Sequence, residues 1–107
     1  MAFIQVMTTT ETREQAQTIA RHLVEEKLAA CVQITDAVES TYRWKGNVEC
    51  SREYLCLIKT REDLFPKIEA AIKKLHSYET PEIIAVPIIQ GSTEYLEWLD
   101  ESLVKKL

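Results

Sequence analysis

Glycine is nearly absent: two residues in 107. A phosphate-cradling loop needs several glycines close together, so neither a P-loop nor a dinucleotide fingerprint can be built here. The G-x-S-x-G nucleophile elbow is missing too, and neither His22 nor His76 has an obvious serine or cysteine partner in sequence. The chain is therefore expected not to be an enzyme. Cysteine is scarce and odd in number, with Cys31, Cys50 and Cys56 the only thiols. With no C-x-x-C pair and no two histidines at i and i+4, no local zinc-type motif exists. Nothing at the start, "MAFIQVMTTT", has the basic flank and long apolar stretch of an export signal, so free thiols in a reducing cytoplasm are the expectation. No apolar run approaches the ~18 residues that would span a membrane.

Charge excludes another class. Thirteen basic and seventeen acidic residues leave a net charge of -4, and no basic run exceeds Lys73-Lys74. A nucleic-acid footprint would need a basic stripe. What remains fits one soluble domain over residues 1–107: at 12.3 kDa a chain buries roughly two thirds of its unfolded surface without help from disulfides or metals.

Periodicity supplies the elements. "AFIQVM" reads as a strand ended by Thr8-Thr9-Thr10. Thr12 and Gln15 form a capping box for a helix whose apolar stripe is Ala16, Ile19, Ala20, Leu23 and Val24. "LAACVQI" continues, with a bulge near Asp36, into the alternating Val38, Ser40, Tyr42, Trp44, and Gly46 closes a tight hairpin. The return strand, Val48 to Thr60, is apolar on both faces in "YLCLIKT". A second helix, "TREDLFPKIEAAIKKL", has acidic residues in its first turn, Pro66 near its start, and Phe65, Ile68, Ile72 and Leu75 on its buried stripe. "EIIAVPII" is a last strand, which Pro87 places at a sheet edge or gives a bulge. "TEYLEWLDESLVKKL" is a third helix with Leu96, Leu99 and Leu103 inward and Lys105 and Lys106 near its C-terminus.

The order β-α-β-β-α-β plus a terminal helix predicts an α+β, ferredoxin-like fold. Two helices cover one sheet face and one short helix cannot cover the other. An apolar surface of that size marks an interface, and a homo-oligomer is expected, the alternative being a monomer whose third helix folds over the open face. Trp44, at a hairpin end far from its own helices, is expected to anchor that interface. His76 ends a helix beside Tyr78, Glu79 and Glu82; it can cap the last carbonyls or take part in binding. Cys31 in "AACVQI" reads from composition as a small buried hydrophobe.

"EEKLAACVQI", "STYRWKGNVE", "LCLIKT", "LHSYETPEIIAVPI" and "YLEWL", in this order and spacing, resemble the CutA1 family of divalent cation tolerance proteins over nearly the whole chain. That resemblance implies a cytoplasmic homotrimer similar in architecture to PII signalling proteins, associated with copper and other divalent cations and needing no other cofactor. It brings Tyr42, Trp44, Lys59, Tyr78 and Glu82 into an expected intersubunit cleft, with Cys31 and His76 as expected metal ligands. The family motif H-P-Y-E-x-P reads H-S-Y-E-T-P here, so Ser77 loosens a turn that the family holds with proline. A PII-like trimer binding a small anionic metabolite through Lys59, and a scaffold without a small ligand, are the competing readings. Neither nucleic acid nor membrane is an expected partner.

Overall fold

The computed structural model describes residues 2–105. The elements are β1 (Phe3–Thr10), α1 (Arg13–Glu25), β2 (Cys31–Ile34), β3 (Val38–Trp44), β4 (Asn47–Arg61), α2 (Phe65–Leu75), β5 (Ile84–Ile88) and α3 (Thr93–Glu101), with a 3-10 turn at Glu62–Leu64 before α2. This is the predicted ferredoxin-like order, except that the expected long second strand is divided into β2 and β3 by residues 35–37. The sheet runs β2-β4-β1-β5 with β3 paired to β4, and the pairings of β1 with β4 and β5 and of β4 with β2 and β3 are all antiparallel. Pro87 lies in β5, which is an edge strand, as a residue with no N–H requires.

Alternation divides the sheet into two unlike faces. On one, Ile4, Val6 and Thr8 of β1 stand opposite Thr60, Ile58 and Cys56 of β4. These residues are buried with Ala16, Ile19 and Leu23 of α1 and Ile68 and Ile72 of α2. The Thr12 hydroxyl accepts from the Gln15 N–H at 3.1 Å, which supplies the expected cap of α1. Val24, placed by its spacing on the stripe, lies at its margin and is 42% exposed. The threonines Thr8, Thr9 and Thr10 do not end β1 but belong to it, and all three are buried. Branching at Cβ suits the extended backbone as well as any aliphatic residue would.

The opposite face carries Phe3, Gln5, Met7 and Thr9 of β1, Leu55, Leu57, Lys59 and Arg61 of β4, and Ile84, Val86 and Ile88 of β5. Only one end of it is covered: Leu99 and Leu103 close over Leu64, Phe3 and Ala30. Arg61 fastens this cover. Its Nε and Nη2 donate to the Asp63 carboxylate at 2.8 and 3.2 Å, Nη1 to Asp100 at 3.0 Å, and Nη2 also to the Val104 carbonyl at 2.7 Å. Towards β5 the face is open, and Ile84 and Val86 are exposed.

Two details of the helices differ from expectation. α3 stops at Glu101, so Lys105 lies beyond it and neutralises no helix terminus; Lys106 and Leu107 fall outside the described residues. The Ser102 hydroxyl bonds the Trp98 carbonyl at 2.7 Å and its N–H bonds Trp98 and Leu99 carbonyls at 3.1 and 3.3 Å, which closes the helix there. Leu103 is still buried, but from a non-helical backbone. At α2 the acidic pair Glu62 and Asp63 occupies the preceding 3-10 turn, and the first α-helical turn holds no acidic residue.

The β3–β4 hairpin leaves the body of the domain. Lys45 and Gly46 both take positive φ, 50° and 83°, the two-residue turn that matches strand twist. Every residue from Thr41 to Cys50 is exposed. The accessible surface is 7036 Å², about 900 Å² above the roughly 6,100 Å² of a compact monomer of this mass. The longest dimension is 44 Å against 26 and 22 Å.

Candidate functional site

The turn from α2 to β5 is built around His76. As α2 ends, the His76 N–H bonds the Ile72 carbonyl at 2.8 Å while the side chain swings towards β1. Nε2 lies 2.7 Å from the Thr9 carbonyl oxygen and Nδ1 lies 3.0 Å from the Tyr78 backbone nitrogen. A carbonyl accepts and an amide donates, so Nε2 carries the proton and Nδ1 is the acceptor. The imidazole is thus a clip between β1 and the turn, and its one lone pair suited to a metal is already engaged. Gln15 of α1 braces the same turn by donating to the Leu75 carbonyl at 3.3 Å and accepting from the Ser77 hydroxyl at 3.1 Å. Ser77, expected to loosen this turn, is thus tied to α1 by a hydrogen bond.

Tyr78 packs against the His76 ring, centroids 4.8 Å apart and planes tilted by 43°, and reaches across to β4, where its hydroxyl donates to the Glu53 carboxylate at 2.8 Å. Glu53 is buried, 6% exposed. Burial, then the bond to Glu53, raises the tyrosine above its ordinary titration range, so Tyr78 stays a neutral donor. Tyr42 on the hairpin bonds the Ser51 hydroxyl at 3.2 Å, and its ring and that of Trp44 are 41% exposed. Glu82 is exposed at the approach to β5.

At the far end of the same face, Cys31 sits opposite Lys59 in the β2–β4 ladder. The Lys59 ammonium donates to Gln33, and Tyr95 of α3 is raised above its ordinary titration range first by burial and then by the nearness of Cys31. Tyr95 in turn packs on Trp98 at 5.4 Å. Lys59 faces Gln5 of β1, four residues from Thr9, where His76 is fixed. Four residues at about 3.3 Å each, and two strand spacings of about 4.8 Å, put Cys31 and His76 roughly 16 Å apart within one chain.

The expected site residues therefore fall into two groups. Tyr78 approaches the root of the hairpin that carries Tyr42 and Trp44; Cys31 and Lys59 belong to the α3 end. One chain does not fit a metal ion: among the described residues no three His, Cys, Asp or Glu side chains gather in suitable positions. Glu53, the partner of Tyr78, was missed by sequence reasoning because it reads as a solvent-facing strand position between Arg52 and Tyr54. No helix among the described residues is long and apolar enough to cross a membrane.

Comparison with known proteins gives a consistent answer. The family described as CutA1 divalent ion tolerance protein matches residues 4–102. The Divalent-cation tolerance protein CutA of Thermus thermophilus is 50% identical over 97 residues, covering 91% of this chain and 94% of its own. The solved Thermus thermophilus structure superposes with a TM-score of 0.93 at 47% identity, covering 95% of this chain and 99% of that one. The periplasmic divalent cation tolerance protein CutA of Archaeoglobus fulgidus superposes with a TM-score of 0.91 at 39% identity, over 94% and 97% of the two chains. Protein CutA, chloroplastic, of Arabidopsis thaliana is 44% identical over 99 residues, which are 92% of this chain but 54% of the plant protein.

Proposed function

We propose, from the premise that this chain belongs to the CutA1 divalent ion tolerance family, that it acts as a cytoplasmic homotrimer which binds a divalent cation, copper in the first place, and contributes to tolerance of it. The observation that carries the assembly is the hairpin. A two-stranded ribbon exposed on both faces is marginal in water, and Val48 here is 67% exposed and Trp44 41%. Copies of the chain laid against the ribbon and the open face would bury both.

Metal binding then belongs to the assembly. Copper favours thiolate and imidazole ligands, and a single chain keeps Cys31 and His76 apart. Copies of Cys31, half-buried on the face that the trimer would cover, are the ligands we favour. His76 would have to give up its bond to the Tyr78 amide before it could bind a metal through Nδ1. The anion-binding reading would rest on the Lys59 ammonium, one of whose three N–H groups is taken by Gln33.

Copper titration of the intact protein by calorimetry tests this reading, with a nucleotide titration alongside. Saturable copper binding weakened at least tenfold by Cys31→Ser is the expected result. An isotherm unchanged after removal of every cysteine and both histidines would leave only attraction by the net charge of -4; saturable nucleotide binding without copper binding would favour the sensor.

A further inference from the structure

The hairpin and the sheet meet at a joint that is held from both sides. β2 ends at Ile34 and β3 begins at Val38, while β4 runs through without a break and supplies Glu53, Tyr54 and Leu55 at the crossing. Thr35 stitches the backbone there: its N–H donates to the Leu55 carbonyl at 3.0 Å, and its hydroxyl accepts from the Leu55 N–H at 3.3 Å. Successive β4 side chains point to opposite faces. On the helix face, the Arg13 guanidinium lies 5.0 Å over the Tyr54 ring and bonds Asp36 at 3.0 Å. On the open face, Tyr78 bonds Glu53, the partner of Val38 in the first pair of the hairpin ladder.

The two grips are unequal. Asp36 is fully exposed, and an ion pair in open solvent contributes little. Glu53 is buried and Tyr78 half-buried, so the second bond is made where water competes poorly and where an unpaired carboxylate is costly. Tyr78 is in turn held through its backbone N–H by the ring of His76, itself fixed to Thr9. A continuous chain of contacts thus runs from β1 through His76 and Tyr78 to the root of the hairpin.

We propose that the Tyr78–Glu53 bond is a strap by which the turn after α2 fixes the direction of the hairpin, so that the order of residues 76–78 governs how the hairpin meets another copy of the chain. The assembly half of this inference rests on the trimer reading above; the strap does not. Hydrogen exchange on the wild-type protein, Tyr78→Phe, Glu53→Gln and Arg13→Ala tests it, with sedimentation of each variant alongside. In Tyr78→Phe the amides of Val38–Trp44 and Asn47–Glu53 should exchange at least tenfold faster, while those of α1 and α2 keep their wild-type rates. Glu53→Gln, whose amide oxygen can still accept the tyrosine proton, should stay within about threefold of wild type, as should Arg13→Ala. Unchanged hairpin exchange in Tyr78→Phe would overturn the strap, as would a loss of protection spread evenly over all elements. If wild type sediments as a monomer, the trimer reading fails on its own and the exchange comparison still decides the strap.

Discussion

Replacing Arg61 by methionine should release α3 from the sheet. Methionine keeps an apolar stem of similar length and so separates the bonds from the packing. The arginine side chain is 3% exposed and makes four hydrogen bonds to three acceptors: the carboxylates of Asp63 and Asp100 and the carbonyl of Val104. Asp63 and Asp100 are 29% and 36% exposed, so on losing the arginine they are largely rehydrated, and each carboxylate's pairing with the arginine counts at the low end, about 1 kcal/mol per carboxylate. The Val104 carbonyl loses this bond in a poorly hydrated place, which costs about 1 kcal/mol more. The sum is about 3 kcal/mol, or a fall in melting temperature of roughly 12 °C or more for a domain of this size. Scanning calorimetry of wild type, Arg61→Met and Arg61→Lys measures it. Lysine keeps the charge but not the fork, so its melting point should fall between the other two. A change below about 1 kcal/mol in Arg61→Met would refute the reasoning, because it would mean that the buried charge costs as much as its bonds return.

Three further outcomes are expected. Burial pushes the Cys56 thiol up to about 11, so near pH 8 only about one molecule in a thousand carries its thiolate; a thiol reagent should modify exposed Cys50 at least a hundredfold faster, and equal rates would show that the core opens freely. The same shift sets a stability trend: the folded value lies above the ordinary thiol value of 9.0, so the contribution is complete below pH 9 and about 3 kcal/mol of it is lost as pH rises to 11, which alkaline denaturant melts of wild type and Cys56→Ala would reveal as a steeper loss in wild type. Gly46→Ala should cost about 1 kcal/mol, because φ is +83° while no atom crowds the new Cβ, and a neutral effect on the melting point would mean that the hairpin turn is not held in that conformation.

Short-range signals were the legible part of the fold. The helix N-cap at Thr12, the turn at Gly46 and the edge strand at Pro87 each depend on a backbone preference that one residue imposes, and each stands where the pattern put it; the other half of the expected capping box does not form, because the Gln15 side chain bonds Leu75 and Ser77 instead. The end of α3 was not legible, because Leu96, Leu99 and Leu103 continue the helical period while the chain leaves the helix at Ser102. Periodicity records which side chains are buried and not which backbone buries them. The site was less legible still. His76, Tyr78 and the hairpin aromatics could be named, but the partners that give them their roles are the Thr9 carbonyl and Glu53, which are 67 and 25 residues away. Arg61 likewise meets Asp100 across 39 residues. No local pattern announces such a pairing, and a charged residue in a strand reads as solvent-facing until its partner arrives.

The central claim is that copies of this chain cover the hairpin and the open face. Sedimentation equilibrium of the purified wild-type protein at micromolar concentration, with Trp44→Ala beside it, tests that claim most directly. A wild-type mass of three times 12.3 kDa is expected, with weaker association in the variant by about 2 kcal/mol or more, as for a buried interface tryptophan. A wild-type mass of a single 12.3 kDa chain at that concentration would contradict it.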